Sequence, residues 1–325
     1  MHRPFDGPVT EPVSADRRPV VGPIAILPDS DHDFADAVRA GGGMLEPLSE
    51  RTRGLVWLST ARAAELVDVL DTHPRIGWVQ LPWAGVDAFA PSISARPATL
   101  FTSARGSFAE PVAEHALALT LALTRFLPRR IIATSWDDEQ LGVSLFGRRV
   151  VIVGAGGIAR QLIGLLKPFR THIAVVRRGS AAVDGADETV GRDRLPDVLA
   201  TADIVILAAA LTDETRGMIG ATELSIMPRS AYLVNAARGG LIDTDALVAA
   251  LAEGTIAGAA LDVTDPEPLP DGHPLWSEPA CIITPHVADT PQMTAPLLAD
   301  RIRRNVAAFL GDGRFVGVVE PERGY

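Results

Sequence analysis

The sequence predicts an α/β protein of two domains, each built on a parallel sheet. Three observations carry that prediction: two successive series of short apolar runs alternating with amphipathic stretches, a glycine-rich turn at the head of the second series, and a last helical segment that follows it. A chain of 325 residues accommodates two ordinary domains, and its 47% hydrophobic content can furnish a core for each.

In chain order, residues 1–20 read as a flexible arm, with several prolines and charges and no apolar segment of signal-peptide length. From Val21 to Ser103 the runs IAIL, GLVWLS, RIGWVQL and TLFTSA alternate with DFADAVRA and TARAAELVDVL, the rhythm of strand and helix in a first α/β domain. Residues 109–133 form a long, mostly apolar helical pattern that Pro128 should end or bend, followed by Trp136 and an acidic connecting loop. The second series then reads strand RRVVIVG, helix Ile158 to Leu166, strand HIAVV, helix around DVLATA, strands DIVILAAA and AYLVNAA, helix DALVAALAEG, and strands IAGAALDV and CIITPH. The closing periodic segment, Ala295 to Leu310, is positioned to return the chain to the first domain. The expected boundaries are therefore 21–108 with 291–325 for one domain and 109–290 for the other.

Composition removes several classes of function. A net charge of −10 without a Lys/Arg block lacks the footprint of a nucleic-acid binder. No run reaches the roughly 18 apolar residues of a membrane span, so a soluble, cytoplasmic protein is expected. The one cysteine, Cys281, fits a reducing compartment and sits in the apolar run CIIT, which reads as core rather than nucleophile. No metal is expected.

Gly154, Gly156 and Ala159 form G-A-G-G-I-A directly after the apolar strand VVIV and directly before an amphipathic helix, the setting a dinucleotide-binding turn requires. Gly154 permits the tight turn, Gly156 lets backbone approach a pyrophosphate, and Ala159 lets helix pack on strand; the amides opening the helix, at Gly157 and Ile158, then face phosphate. An NAD-type site usually carries an acid about 20 residues past the first glycine, on the adenosine ribose. Here Arg177 and Arg178 follow strand HIAVV instead, and guanidinium forks suit a 2′-phosphate, so NADP(H) is the expected cofactor, with NAD(H) possible.

Three further segments carry ionisable residues at strand ends or loops: NAARGGLIDTDAL with Arg238, ALDVTDPEPLP with Glu267, and ITPHVADT with His286. With G-A-G-G-I-A and the early LPWAGVD, they resemble the D-isomer-specific 2-hydroxyacid dehydrogenases, a family that includes glyoxylate/hydroxypyruvate reductases. The resemblance implies a Rossmann domain inserted into a flavodoxin-like substrate domain, commonly assembled as a homodimer. It implies that Arg238 holds the substrate carboxylate and polarises its keto oxygen, that His286 is the acid/base, and that Glu267 pairs with His286. It implies that Trp83, Ala84, Gly85 and Val86 bind substrate, and that Ala236 and Asp262 lie near the cofactor, a structural role for Asp262 staying open.

The chemistry asks for the same residue types. Hydride arriving at a keto carbon leaves charge on oxygen, which a protonated imidazole can neutralise and a carboxylate partner keeps available. Arginine stays cationic and faces two oxygens at once. His115, in AEHALAL, reads as a packed helix histidine and His273 as a loop residue. Trp83 stands where many relatives carry a small residue, and Asp289 where they usually carry glycine. The same scaffold also carries formate- or phosphite-type dehydrogenases and dinucleotide-sensing corepressors, which stay open as alternatives.

Overall fold

The computed structural model describes residues 12–28, 32–136, 138–179 and 181–320. It divides into two compact units, residues 1–109 with 290–325, and residues 110–289. Residues 1–11 of the expected arm lie outside the described residues. Further along that arm, the Val13 amide donates to the Gly313 carbonyl at 3.0 Å and Arg18 bonds to the Asp312 carbonyl.

The first unit contains β1 (Ile24–Leu27), α1 (His32–Ala40), β2 (Gly54–Trp57), α2 (Glu65–Thr72), β3 (Trp78–Gln80), α3 (Ala90–Ala95) and β4 (Leu100–Thr102). The four strands pair in parallel in the order β1-β2-β3-β4. Leu45 adds a single parallel bridge on the outer side of β1, through Ile24 N–H to Met44 and Glu46 N–H to Ile24. Counting that bridge as a vestigial second strand gives the order 2-1-3-4-5 of a flavodoxin-like sheet. Leu55, Trp57, Val79, Leu81 and Phe101 fill the core with Leu66 and Leu70 of α2.

The second unit begins within α4 (Ala109–Thr124) and α5 (Leu127–Ile131). The apolar pattern over 109–133, expected to end or bend at Pro128, forms these two helices. The break falls at Phe126, whose φ is 54°, two residues ahead of Pro128. Pro128 sits in the first turn of α5, where its missing N–H costs nothing.

There follow β5 (Arg149–Val153), α6 (Gly157–Leu166), β6 (His172–Arg177), β7 (Glu188–Gly191), α7 (Leu195–Leu199), β8 (Ile204–Leu207), α8 (Ala221–Ile226), β9 (Tyr232–Asn235), α9 (Thr244–Ala252), β10 (Gly258–Leu261) and β11 (Cys281–Ile283). The chain then returns to the first unit as α10 (Pro291–Leu310), which packs along α1 and touches β3.

The seven strands are parallel in the order β11-β10-β9-β8-β5-β6-β7, so strand order reverses between β5 and β8. Alternate residues of each strand serve opposite faces: Val151, Val205, Leu233 and Ala259 pack under α7, α8 and α9, whereas Val150, Ile152, Ile206 and Val234 pack under α4 and α6. With both faces covered, the carboxyl ends of the strands are where ligands of such sheets bind.

Candidate active site

The reversal point carries the glycine-rich turn. Gly154 ends β5 with φ at 119°, and a side chain there would meet the Ala208 carbonyl at 2.4 Å, so only glycine fits. Gly156, the residue before α6, faces open space, and a Cβ there would meet no protein atom within 4 Å. Ala159 is fully buried against the sheet. Open room beside the first amides of α6, at Gly157 and Ile158, fits a dinucleotide pyrophosphate.

Arg177 closes β6 and Arg178 follows it; the Arg177 guanidinium donates to the Ala181 carbonyl at 3.1 Å. Arg192, just past the adjacent β7, was not read from the sequence. Its guanidinium and that of Arg178 both face Glu214, at 3.8 and 4.0 Å. Among the described residues, β6 itself ends without a carboxylate, the nearest acid to Arg178 being Glu214.

Three neighbouring strands supply the other ionisable groups. Asn235, buried at the end of β9, sets the turn that carries Arg238: its amide nitrogen donates to the Arg238 carbonyl at 2.9 Å and its side-chain oxygen accepts from Ala237 N–H at 3.1 Å. Ala236 is buried within that turn. Arg238 is half-buried, with Nη1 donating to the Ala237 carbonyl at 2.7 Å. Gly239 brings this turn onto the loop after β10 so closely that a Cβ would lie 1.9 Å from the Thr264 carbonyl oxygen. That neighbouring loop bears Glu267, whose Oε1 lies 2.6 Å from His286 Nδ1. With Nδ1 turned to the carboxylate, Nε2 is the ring nitrogen left for a substrate oxygen.

His286 itself is held by its backbone. Its φ is 53°, an uncommon left-handed conformation for a residue with a side chain, and its N–H is shared between the carbonyls of Asp262 and Thr284 at 2.8 and 2.9 Å. Asp262, 2% exposed at the end of β10, accepts from Thr284 Oγ1 at 2.6 Å, Val287 N–H at 3.0 Å and Ala288 N–H at 3.1 Å. His115 of α4 approaches the same group, with Nε2 3.3 Å from Asp262 Oδ1 and 3.1 Å from Thr284 Oγ1. Burial alone would raise the Asp262 carboxyl, but the hydrogen bonds of His115, Thr284 and Val287 together outweigh it and hold it below its ordinary value. Asp289 goes the other way: burial, helped by the Asp262 charge, raises it against the pull of His286.

Sequence reasoning therefore named Arg238, Glu267, His286 and Asp262, and took His115 for packing alone. The one local signal was a histidine at the point where α4 passes from the acidic AEPVAE to the apolar ALALTLAL. His273 is a loop residue, its Nδ1 accepting from Leu275 N–H. The residues of the first unit lie at the carboxyl end of β3. Trp83 is 40% exposed with its ring edge-on to Phe108, Ala84 and Gly85 are half-buried, and Val86 is buried. The Trp83 carbonyl accepts from Ala104 N–H at 2.9 Å, tying this loop to the one after β4.

Residues 117–288 match the family model for the NAD-binding domain of the D-isomer specific 2-hydroxyacid dehydrogenases. A glyoxylate reductase of Aeropyrum pernix is 33% identical over 74% of this chain and 76% of its own length. The chain belongs to this family. A glycerate dehydrogenase of Methylorubrum extorquens is 29% identical over 85% of the chain and 88% of that protein. A family member from Xanthobacter autotrophicus, solved with NADPH and MES, superposes with a TM-score of 0.81 at 27% identity, covering 94% of this chain and all of that one. The protein is accordingly an NAD(P)-dependent 2-hydroxyacid dehydrogenase acting on a small hydroxy or keto acid. Among the described residues, no helix is long and apolar enough to cross a membrane.

Proposed function

We propose that this dehydrogenase reduces a small 2-keto acid of the glyoxylate or hydroxypyruvate kind to the D-2-hydroxy acid, with NADPH preferred over NADH. The observation that carries the reading is the 2.6 Å pairing of His286 Nδ1 with Glu267, at the end of a sheet whose next strand presents Arg238.

In this reading the bound dinucleotide supplies the hydride, its pyrophosphate at Gly154, Gly156, Gly157 and Ile158 and its nicotinamide end near Ala236 and Asp262. Arg238 holds the substrate carboxylate and draws electron density toward the keto oxygen. His286 Nε2 delivers the proton that oxygen needs as the carbonyl carbon becomes tetrahedral, while Glu267 stabilises the imidazolium and fixes the ring. The loop of Trp83, Ala84, Gly85 and Val86, in what we take as the substrate domain, offers backbone amides for the carboxylate and an indole that limits side-chain size.

Relatives named glyoxylate reductase and glycerate dehydrogenase support the substrate class, and the NADPH complex of the Xanthobacter protein supports the cofactor. Arg177, Arg178 and Arg192 around the expected ribose position support it independently. The test is a panel of 2-keto acids with NADPH and NADH, comparing the wild type with His286→Asn. Turnover should fall on the order of a thousandfold, while NADPH still quenches tryptophan fluorescence at wild-type concentrations. Near-normal turnover would remove His286 from the chemistry.

Homodimerisation through the second unit belongs to the same proposal. Leu127, Ile131, Ile132 and Trp136 are large apolar residues 42%, 77%, 78% and 95% exposed within ten positions of one another. Light scattering should report twice the chain mass, and a monomer at micromolar concentration would discard this part. A cytoplasmic setting agrees with Cys281, half-buried, whose thiol is pushed by burial up to about 12 and is thus no nucleophile.

A further inference from the structure

We propose that His115 is a positioning residue: the hydrogen bond its Nε2 presents to Thr284 and Asp262 anchors the 284–288 loop to α4 and so aims His286. The inference rests on the reading of His286 as the proton donor, and no step of the reaction described above uses His115.

Proton accounting fixes the direction of the bond. The Thr284 hydroxyl has one hydrogen, and the 2.6 Å contact assigns it to the Asp262 carboxylate. The oxygen of that hydroxyl is then an acceptor toward His115, so Nε2 must carry the hydrogen. The same N–H faces Asp262 Oδ1 at 3.3 Å. One imidazole donor thereby polarises the hydroxyl and touches the carboxylate that the hydroxyl serves.

Support of the buried charge is only part of what the histidine does. Asp262 already accepts from Thr284, Val287 and Ala288, which is adequate for a buried carboxylate. What His115 adds is a tie to a different element. Thr284, Val287 and Ala288 all belong to the loop that Asp262 grips, and their other ties run to the sheet and its loops, through Asp262 N–H to the Asn235 carbonyl of β9, Thr284 N–H to Leu261 of β10 and His286 to Glu267, whereas the His115 bond reaches a covering helix. The backbone of His115 is locked, because Ala113 and Ala116 on either side of it are fully buried beneath the sheet. Through His115 the loop is referred to that helix. The loop needs such a reference because His286 stands in a left-handed conformation, which the chain leaves readily when its bonds are loosened.

The experiment uses the full-length enzyme and compares His115→Ala, which removes the donor, with His115→Gln, whose side-chain amide reaches about as far as Nε2. For the alanine variant kcat/KM for the keto acid should fall on the order of tenfold, within the hundredfold that a 1 Å misplacement can cost. KM for NADPH should stay within about twofold, since uniform cofactor binding is untouched. Amide hydrogen exchange of the peptide spanning 284–289 should accelerate in the alanine variant, and the glutamine variant should restore both exchange and turnover to near wild type.

An alanine variant with wild-type kcat/KM, or one whose 284–289 exchange is unchanged, would overturn the proposal. Failure of the glutamine variant to rescue would overturn it too, by showing that ring shape rather than the donor matters. Should His115→Ala fold poorly, His115→Leu removes the donor while keeping side-chain bulk and is read by the same exchange measurement. If the wild type reduces no 2-keto acid yet the alanine variant loosens 284–289, the functional reading fails and the positioning stands. If the wild type is active and the variant matches it in both readouts, the reverse holds.

Discussion

At the β6–β7 edge of the seven-stranded sheet, Arg178, Arg192 and Glu214 stand exposed to solvent at 3.8 to 4.0 Å, whereas at the β10–β11 edge Asp262 is buried within bonds of 2.6 to 3.1 Å. Both edges end strands of the same parallel sheet. The difference matches the two roles proposed for them. Meeting a phosphate is a matter of charge, which acts over several ångströms and tolerates side-chain freedom. In the proposed reaction a proton passes to a carbonyl oxygen, which requires a donor at hydrogen-bond distance and in line, and the loop that carries His286 is knotted around a carboxylate.

The contrast breaks most directly at Asp262. Replacing it with Asn puts a donor where Thr284, Val287 and Ala288 all donate, and kcat/KM should drop on the order of a hundredfold. Unfolding free energy should fall by about 2 kcal/mol, the cost of a buried donor left without an acceptor. The pH dependence sharpens the assignment. Because the folded carboxyl is held below its ordinary 3.8, its contribution is complete above that value and is lost as pH falls through the lower, folded one. The wild type should therefore show a step in stability on the acid side of 3.8 that the Asn variant lacks, as read by melting temperature between about pH 5 and 2.

A smaller effect is expected at the other edge. Changing Arg178 and Arg192 together to Ser should weaken NADPH about tenfold, the worth of an exposed charge-assisted contact, and leave NADH and the melting temperature unaffected. In the opposite sense, Glu214→Gln removes the acid that competes with a phosphate for the two guanidiniums and should tighten NADPH about twofold. An equal loss for both cofactors in the arginine variant would show that the pair braces the fold rather than reads the ribose.

Legibility in the sequence followed the same division. The G-A-G-G-I-A turn was visible because one local segment must satisfy backbone geometry, and Gly154 has no substitute beside the Ala208 carbonyl. Arg238, Glu267 and His286 were visible through family motifs at three strand ends. The strands themselves stood out as apolar runs, except β7, whose residues ETVG carry too little apolar patterning, and the six-residue helices α3 and α8 were not read. His115 and Arg192 were missed for a different reason. Each acquires its role from a partner far along the chain, Thr284 for one and Glu214 for the other, and no local pattern records such a meeting. The interruption of the helix over 109–133 was legible from Pro128, but its position at Phe126, where the backbone turns left-handed, was not, because hydrophobicity runs through that residue.

The return of α10 to pack along α1 has a consequence for how the protein is made. Ribosomal synthesis delivers the first unit's sheet early but withholds the helix that covers it until about the last tenth of the chain, while the second unit, contiguous from 110 to 289, is complete before that. The inserted body is thus positioned to mature first on the nascent polypeptide, and a stop codon ahead of Pro291 would strand the amino-terminal layer without its lid while sparing the insert.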